Sequence, residues 1–333
     1  MHARVWSRLR RSPSATAGGA LVLALVTFAV VGPMVARHGP LESDFVHGIT
    51  DRQTPIGPCA AFPLGADRLF RDVFARLAWG ARFSLVVAVT STTIAILLGS
   101  LVGVVAGWVE GVGTVVPWPL FVGAMAIASA AALGRPLIAW AVAIAIVLLV
   151  ASGRTRGPRI DLDGWLMRLV DVMLAFPFLL LILAIGAAFE RTTAATVILT
   201  LGATGWLGIA RMLRAKTLQV RSLDYVEASR ALGQSNFALI VRHVLPNVSG
   251  TLIVSATVQV AQMIVAESVL GYLGVGISPP TPTWGRMLLE GQEDLTSAPW
   301  LVVAPAAAIV LAVWAFNMVG DGLRDALDPA AEV

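Results

Sequence analysis

The chain has 333 residues, 57% of them hydrophobic and only 13% charged, with a mean hydropathy of +0.81. Soluble domains carry about 25% charged residues, so this composition excludes an ordinary soluble domain and points to a polytopic membrane protein. The balance is basic, with net charge +4, but the cations flank apolar spans as the positive-inside rule expects, which argues against nucleic acid as a partner.

A spanning helix needs about 20 apolar residues. The first candidate is 17–36, preceded by Arg4, Arg8, Arg10 and Arg11. Its apolar core is long for a signal peptide and no clean small-x-small site precedes Arg37, so it reads as a retained signal anchor. Further spans are predicted at 84–108, 115–133, 136–151, 166–189, 194–210, 248–271 and 300–319. Eight spans put both termini on one side. With both in the cytoplasm, cytoplasmic segments hold 15 Lys and Arg and external ones 9, and the bias favours that orientation. The single cysteine, Cys59, excludes an internal disulfide.

Between the sixth and seventh spans lies a polar island. From Arg211 to Arg242 it holds six cations and two acids. One Arg at a helix centre costs about 2.5–3.5 kcal/mol on insertion scales, so 211–247 is expected to be a loop on one side of the bilayer. Asp224 and Glu227 have capping-box spacing, with Asp224 at the N-cap. Ala228, Ser229 and Ala231 give a slim face. Gly233 can adopt positive φ and stop the helix. Ser235 can cap a second run, 237–244, and Pro246 is expected to break it before the next span. The reading is helix, sharp turn, helix, break, span.

Glu227-Ala228-Ser229, Gly233 and Leu245-Pro246-Asn247 resemble the cytoplasmic loop of ABC-importer permeases, with Ser229 in place of an alanine. The resemblance extends over about 62–110 and 163–329. Pro63-Leu64-Gly65-Ala66-Asp67, Arg71-Asp72 and Gly80-Ala81-Arg82-Phe83-Ser84-Leu85 are similar to the dipeptide/oligopeptide/nickel branch. So are Met167 to Asp171, Ala175-Phe176-Pro177, Ala266-Glu267-Ser268, Gly271 to Gly276, Pro279 to Gly285, Ser297 to Trp300 and Gly320 to Pro329. Phe70 stands where the branch carries Gly, which leaves a tight turn there open. About fifty residues, 111–162, intervene where the branch runs on almost directly; they contain the third and fourth spans.

The resemblance implies an all-α type I ABC-importer transmembrane domain of about six core helices plus the inserted hairpin. It divides the chain into 1–61 (tail, first span, external segment) and 62–333 (permease domain, with the coupling loop at 211–247). It implies ABC ATPase subunits, a second permease chain (a heterodimer favoured over a homodimer), an extracytoplasmic substrate-binding protein and membrane lipid as partners. The location implied is the bacterial cytoplasmic (inner) membrane. Tyr225, Glu227, Ala228, Ser229, Leu232, Gly233, Leu245 and Pro246 are the candidates for ATPase coupling.

Alternatives stay open for single residues. Glu227 either only caps its own helix or also pairs with a cation on the ATPase. Arg230 and Arg242 are solvated, bound to lipid phosphate, or docked. Gln259, Gln262 and Glu267 either line a translocation path or join helices by hydrogen bonds. Asp171, one turn from Arg168, is expected to form a local ion pair. Pro177 and Pro305 are expected kinks. Pro280, Pro282 and Trp284 lie in a stiff loop that either meets the binding protein or only connects spans.

No catalytic, cofactor or metal residues are expected. The only lysine, Lys216, lacks the glycine array of a phosphate-binding loop, and the four histidines lack paired metal spacing. ATP hydrolysis is therefore expected in a partner subunit. The competing function is an ion-coupled secondary transporter, which predicts several buried midplane charges and inverted repeats; an intramembrane enzyme lacks its residues. Peptides, nickel chelates, glutathione and haem are all within the reach of the resembling branch.

Overall fold

The computed structural model describes residues 9, 12–50, 54–111, 114–115, 159–160, 162–188 and 192–327. Among them five helices are long and apolar enough to cross a membrane, and a bent pair raises the number to six. Each of the six corresponds to a span expected from sequence. The spans expected at 115–133 and 136–151 lie outside the described residues, except for a two-residue antiparallel pairing of β1 (Thr114–Val115) with β2 (Arg159–Ile160).

Helix α1 (Pro13–Val35) starts on Ser12, whose hydroxyl accepts from the Ala15 amide at 3.3 Å. Helix α2 (Val73–Val109) starts on Asp72, which accepts from the Phe74 amide at 2.8 Å. At 1.5 Å per residue α2 is about 55 Å long, well beyond a hydrocarbon core of about 30 Å, so it projects from the bilayer.

The span expected at 166–189 is broken. α3 (Leu162–Ala175) and α4 (Phe178–Ala187) meet at 85° across Phe176-Pro177. Proline donates no amide and restricts the residue before it, and here the effect is a break and not a mild kink. Pro305, by contrast, lies inside the continuous helix α10 (Trp300–Leu327).

Helix α5 (Ala194–Arg221) begins with a reciprocal Thr193–Thr196 capping box and runs eleven residues past the expected end at 210. It packs on α2 through a stripe that sequence reading overlooked: Gly99, Gly103 and Gly107. A Cβ at Gly99 would stand 2.8 Å from the Ile209 side chain, and one at Gly107 would stand 2.7 Å from the Arg214 carbonyl. Without side chains there, the two backbones approach closely and gain dispersion contact, the force that joins helices where lipid is as apolar as leucine.

α6 (Asp224–Ala231) and α7 (Asn236–Leu239) form the corner after α5. A π turn (Ile240–Val244) then joins α7 to α8 (Leu245–Tyr272) as one 37-residue rod. α9 (Trp284–Gly291) and α10 complete the described chain. α1 packs beside α10, with Gly18 against Met318 and Gly322 against Ala15.

Residues 37–50 and 54–72 pack at the start of α2 and reach α9, with Pro40 O accepting from Arg76 and Arg71 bound to Glu290. Phe70, the residue in place of the branch glycine, makes the tight turn itself: its φ is 57°. Asp67 sets the turn, with Oδ1 accepting from the Leu69 and Arg71 amides at 2.9 and 3.0 Å. The Phe70 ring meets Phe45 edge-on at 5.5 Å, a contact a glycine would lack.

Candidate functional site

The 211–247 stretch departs from the expected loop at its start. Arg211, Arg214, Lys216 and Arg221 all lie on α5. Helix is tolerated there because several of these cations meet acceptors. Arg214 Nε and Nη2 each donate to Asp163 at 2.5 Å, and Nη2 donates to Glu110 at 3.1 Å. Arg211 pairs with Asp171. That pair corrects the expectation of a local Arg168–Asp171 pair: the acid reaches across to α5. Arg221 Nη1 donates to the carbonyls of Trp108 (2.8 Å) and Glu110 (3.0 Å). These are orphan acceptors at the C-terminal end of α2, where a cation also opposes the helix dipole.

α6 follows. Leu223 holds the N-cap position and makes no side-chain cap, while Asp224 and Glu227 lie in the first turn. The predicted Asp224 cap is therefore displaced by one residue, and both acids act through the positive end of the helix dipole instead. Val226 is fully buried. Arg230 holds its guanidinium 5.0 Å from the centroid of Trp108 at the foot of α2, so it is a cation–π partner and not merely solvated. Ser229 Oγ donates to the Tyr225 carbonyl at 2.8 Å, and Ala228 is exposed.

The turn after α6 is a full Schellman motif. Gly233 N–H donates to Arg230 O at 3.0 Å and Gln234 N–H to Ser229 O at 3.2 Å. Gly233 has φ +85°, and among the described residues beyond its chain neighbours no atom lies within 4 Å of where its Cβ would be. Glycine is needed there for its backbone, not for space. Ser235 then caps α7, accepting from the Ala238 amide at 3.3 Å.

Pro246 does not break the helix as expected. The Leu245 amide bonds to the Ile240 carbonyl, five residues back, in the π turn just before it. Widening of the ladder there, together with a place in the first turn of α8, leaves room for a ring that donates no hydrogen bond. Around the corner large apolar side chains stand in the open: Leu232 is 90% exposed and Phe237 78%, with Tyr225 and Leu245 also exposed.

The three path candidates are not brought together. Gln259 Nε2 donates to the Gly205 carbonyl at 3.4 Å, joining α8 to α5. Gln262 is exposed. Glu267 is buried and neither of its oxygens has a hydrogen-bond partner among the described residues; Ser84 and Thr283 flank it. Glu267 thus lies buried where α8 meets the start of α9 and α2.

The Pro-rich loop is only partly exposed. Pro280 is exposed, but Pro282 is buried and Trp284 is wholly buried. Trp284 Nε1 donates to the Leu77 carbonyl at 3.2 Å, and Gly80 makes space for its ring. Trp284 is thus a pin between α9 and α2, unavailable to a partner. Beside it Arg76, 2% exposed, binds Glu290 at 2.6 Å and Asp67 at 3.3 Å. Arg71 and Arg286 bind Glu290 at 3.0 Å each. These charges line a cavity of about 720 Å³.

The chain matches the family described as binding-protein-dependent transport system inner membrane component over residues 149–333. Residues 2–55 match the N-terminal TM domain of oligopeptide transport permease C. The dipeptide transport system permease protein DppC of Bacillus subtilis (strain 168) is 33% identical over 97% of this chain and 84% of its own length. The di/tripeptide transport system permease protein DppC of Pseudomonas aeruginosa (strain UCBPP-PA14) is 34% identical, covering 97% of this chain and 90% of its own length. The glutathione transport system permease protein GsiD of Pectobacterium atrosepticum is 31% identical over 97% and 89%.

This chain belongs to that family of transport permeases. It is a multi-pass membrane protein, and its fold is a type I ABC-importer transmembrane domain. Sequence reading of the permease missed Trp108 as the platform for Arg230, Arg221 as the cap of α2, and Asn247 as a link across the corner. The spacing of Gly99, Gly103 and Gly107 was a usable signal for the α2–α5 contact. The others join residues more than a hundred positions apart, or sit on a turn whose shape was unknown.

Proposed function

We propose that this permease is one subunit of an ATP-driven importer that moves peptides or a related small solute across the bacterial cytoplasmic membrane. The observation that carries the reading is the Gly233 corner: exposed Leu232 and Phe237 beside a Schellman turn, at the foot of a 37-residue rod. Exposed apolar side chains rimmed by polar residues mark a docking surface. Separate ATPase subunits occupy it and hydrolyse the ATP. α6 is tied to α2 through the Arg230–Trp108 contact and leads into α8 through the corner. A push on α6 therefore reaches two spans at once. Glu227, exposed in the first turn of α6, pairs with a cation on the ATPase.

In this reading both termini and 211–247 are cytoplasmic, and 37–72 is external, where a substrate-binding protein delivers solute. A second, non-identical permease chain and lipid cover the apolar outer faces of the spans. We divide the chain at 61/62 into the N-terminal unit and the permease domain, with the insert at 111–162. The relatives named for dipeptides, di/tripeptides and glutathione support the substrate class.

Three measurements test this. A membrane-impermeant maleimide added to intact cells labels exposed Cys59, the one cysteine of the chain; protection of Cys59 until lysis reverses the orientation. In a Cys59→Ser background, Leu232→Cys cross-links to an ATPase subunit, and Glu227→Trp with Gly233→Val abolishes uptake of a radiolabelled dipeptide. No cross-link together with normal uptake rejects coupling through this corner.

A further inference from the structure

The Gly233 corner turns the chain between α6 and α7, so the backbone ladder does not fix the angle of α6 against α8. Side chains from four parts of the corner meet across it. Asn247, in the first turn of α8, donates through Nδ2 to the Tyr225 hydroxyl at 2.9 Å and to the His243 carbonyl at 2.7 Å. Both N–H groups of a carboxamide are thereby used, one across the corner and one back to its own helix. The His243 ring, in the π turn, stands at 60° to the Tyr225 ring with centroids 5.6 Å apart. Its Nε2 lies 3.3 Å from Gln234 Oε1, just past the Schellman turn.

We propose that Tyr225, Gln234, His243 and Asn247 form a clasp that holds α6 at a fixed angle to α8, with Asn247 as its positioning residue. This rests on the docking reading above. A short helix joined to α8 only through a glycine turn would swing against α8 when pushed, and the displacement would be lost before it reached that span. With the clasp closed, α6 and the foot of α8 move as one body. Tyr225 is 45% exposed, so its ring keeps a free surface for a partner while its hydroxyl is engaged.

The test uses the permease purified with its co-purifying subunits in lipid nanodiscs. In a Cys59→Ser background, spin labels at Ala231→Cys and Ser249→Cys, both exposed positions, report the α6–α8 distance with and without ATP–vanadate. The native clasp gives one narrow distance, unchanged by nucleotide. Tyr225→Phe keeps the ring contact and removes only the hydroxyl. Asn247→Ala removes the carboxamide. Each raises the population of a second, longer distance about five-fold, the factor expected for one net hydrogen bond. The double variant is no worse than either single, and thermal melting is unchanged. A single native distance in both variants, or losses that add, overturns the clasp. The Leu232→Cys cross-link separates the two readings: present with unaltered distances, it rejects the clasp alone; absent in otherwise native protein, it rejects docking, and the nucleotide-free distances still decide the clasp.

Discussion

The two ends of α2 are built on opposite terms. At its start, Trp284 of α9 is buried against α2 and Arg76 is buried between Asp67 and Glu290, each satisfied internally. At its foot, α6 and α7 leave Leu232 and Phe237 in the open, although Gly233 and Ser235 cap the backbone between them. One end is finished by its own contacts. The other has a rigid frame and an uncovered apolar surface, which is how a part looks when its last partner is another chain.

Substitutions can break that contrast. The largest expected effect is Trp284→Ala at the closed end, about 3–5 kcal/mol of stability for a fully buried aromatic, read as a fall in the melting temperature of the purified permease. Arg76→Leu follows, at about 1.5–3 kcal/mol for charge-assisted hydrogen bonds lost, because Glu290 and Asp67 lose their buried partner but keep Arg71. At the open end Gly233→Val costs about 1–2 kcal/mol for forcing a side chain into the left-handed region, and its main effect is loss of uptake. Phe237→Ser changes melting by no more than about 0.5 kcal/mol yet weakens retention of the ATPase on co-purification. If Phe237→Ser melted the protein as Trp284→Ala does, the contrast between the ends would fail.

The smallest effect is a local one at the closed end. The Asp44 carboxyl is held down at about 2, chiefly by the His47 backbone N–H, then by that of Val46. A depressed folded value means the contribution is present above the ordinary carboxylate range, near about 3.9, and is lost as pH falls through about 2. Amide exchange at Val46 and His47, relative to neighbouring amides, should therefore rise as pH drops across that window and stay flat above it.

Much of this was legible in the chain. Six spans could be read because about 20 apolar residues in a row have few alternatives to crossing a bilayer. The glycine stop at 233 and the Ser235 cap were legible because each needs only its neighbours. What could not be read depends on distant residues. Arg214 and Arg221 extend α5 because Asp163, Glu110 and the carbonyls at the foot of α2 receive them. Trp284 was misplaced because a Pro-rich loop is usually open, and only the fold shows the slot at Gly80. Pro246 was read as a break because a π turn leaves no mark in sequence.

The stripe of Gly99, Gly103 and Gly107 carries one more consequence. Backbones that interlock every four residues can slip only by a whole notch, about 6 Å at 1.5 Å per residue. Anything smaller drives side chains such as Ile209 and Thr217 into the facing backbone. Through a transport stroke α2 and α5 therefore travel as a single beam, and the relative movement falls to the looser parts, first among them the 85° elbow between α3 and α4.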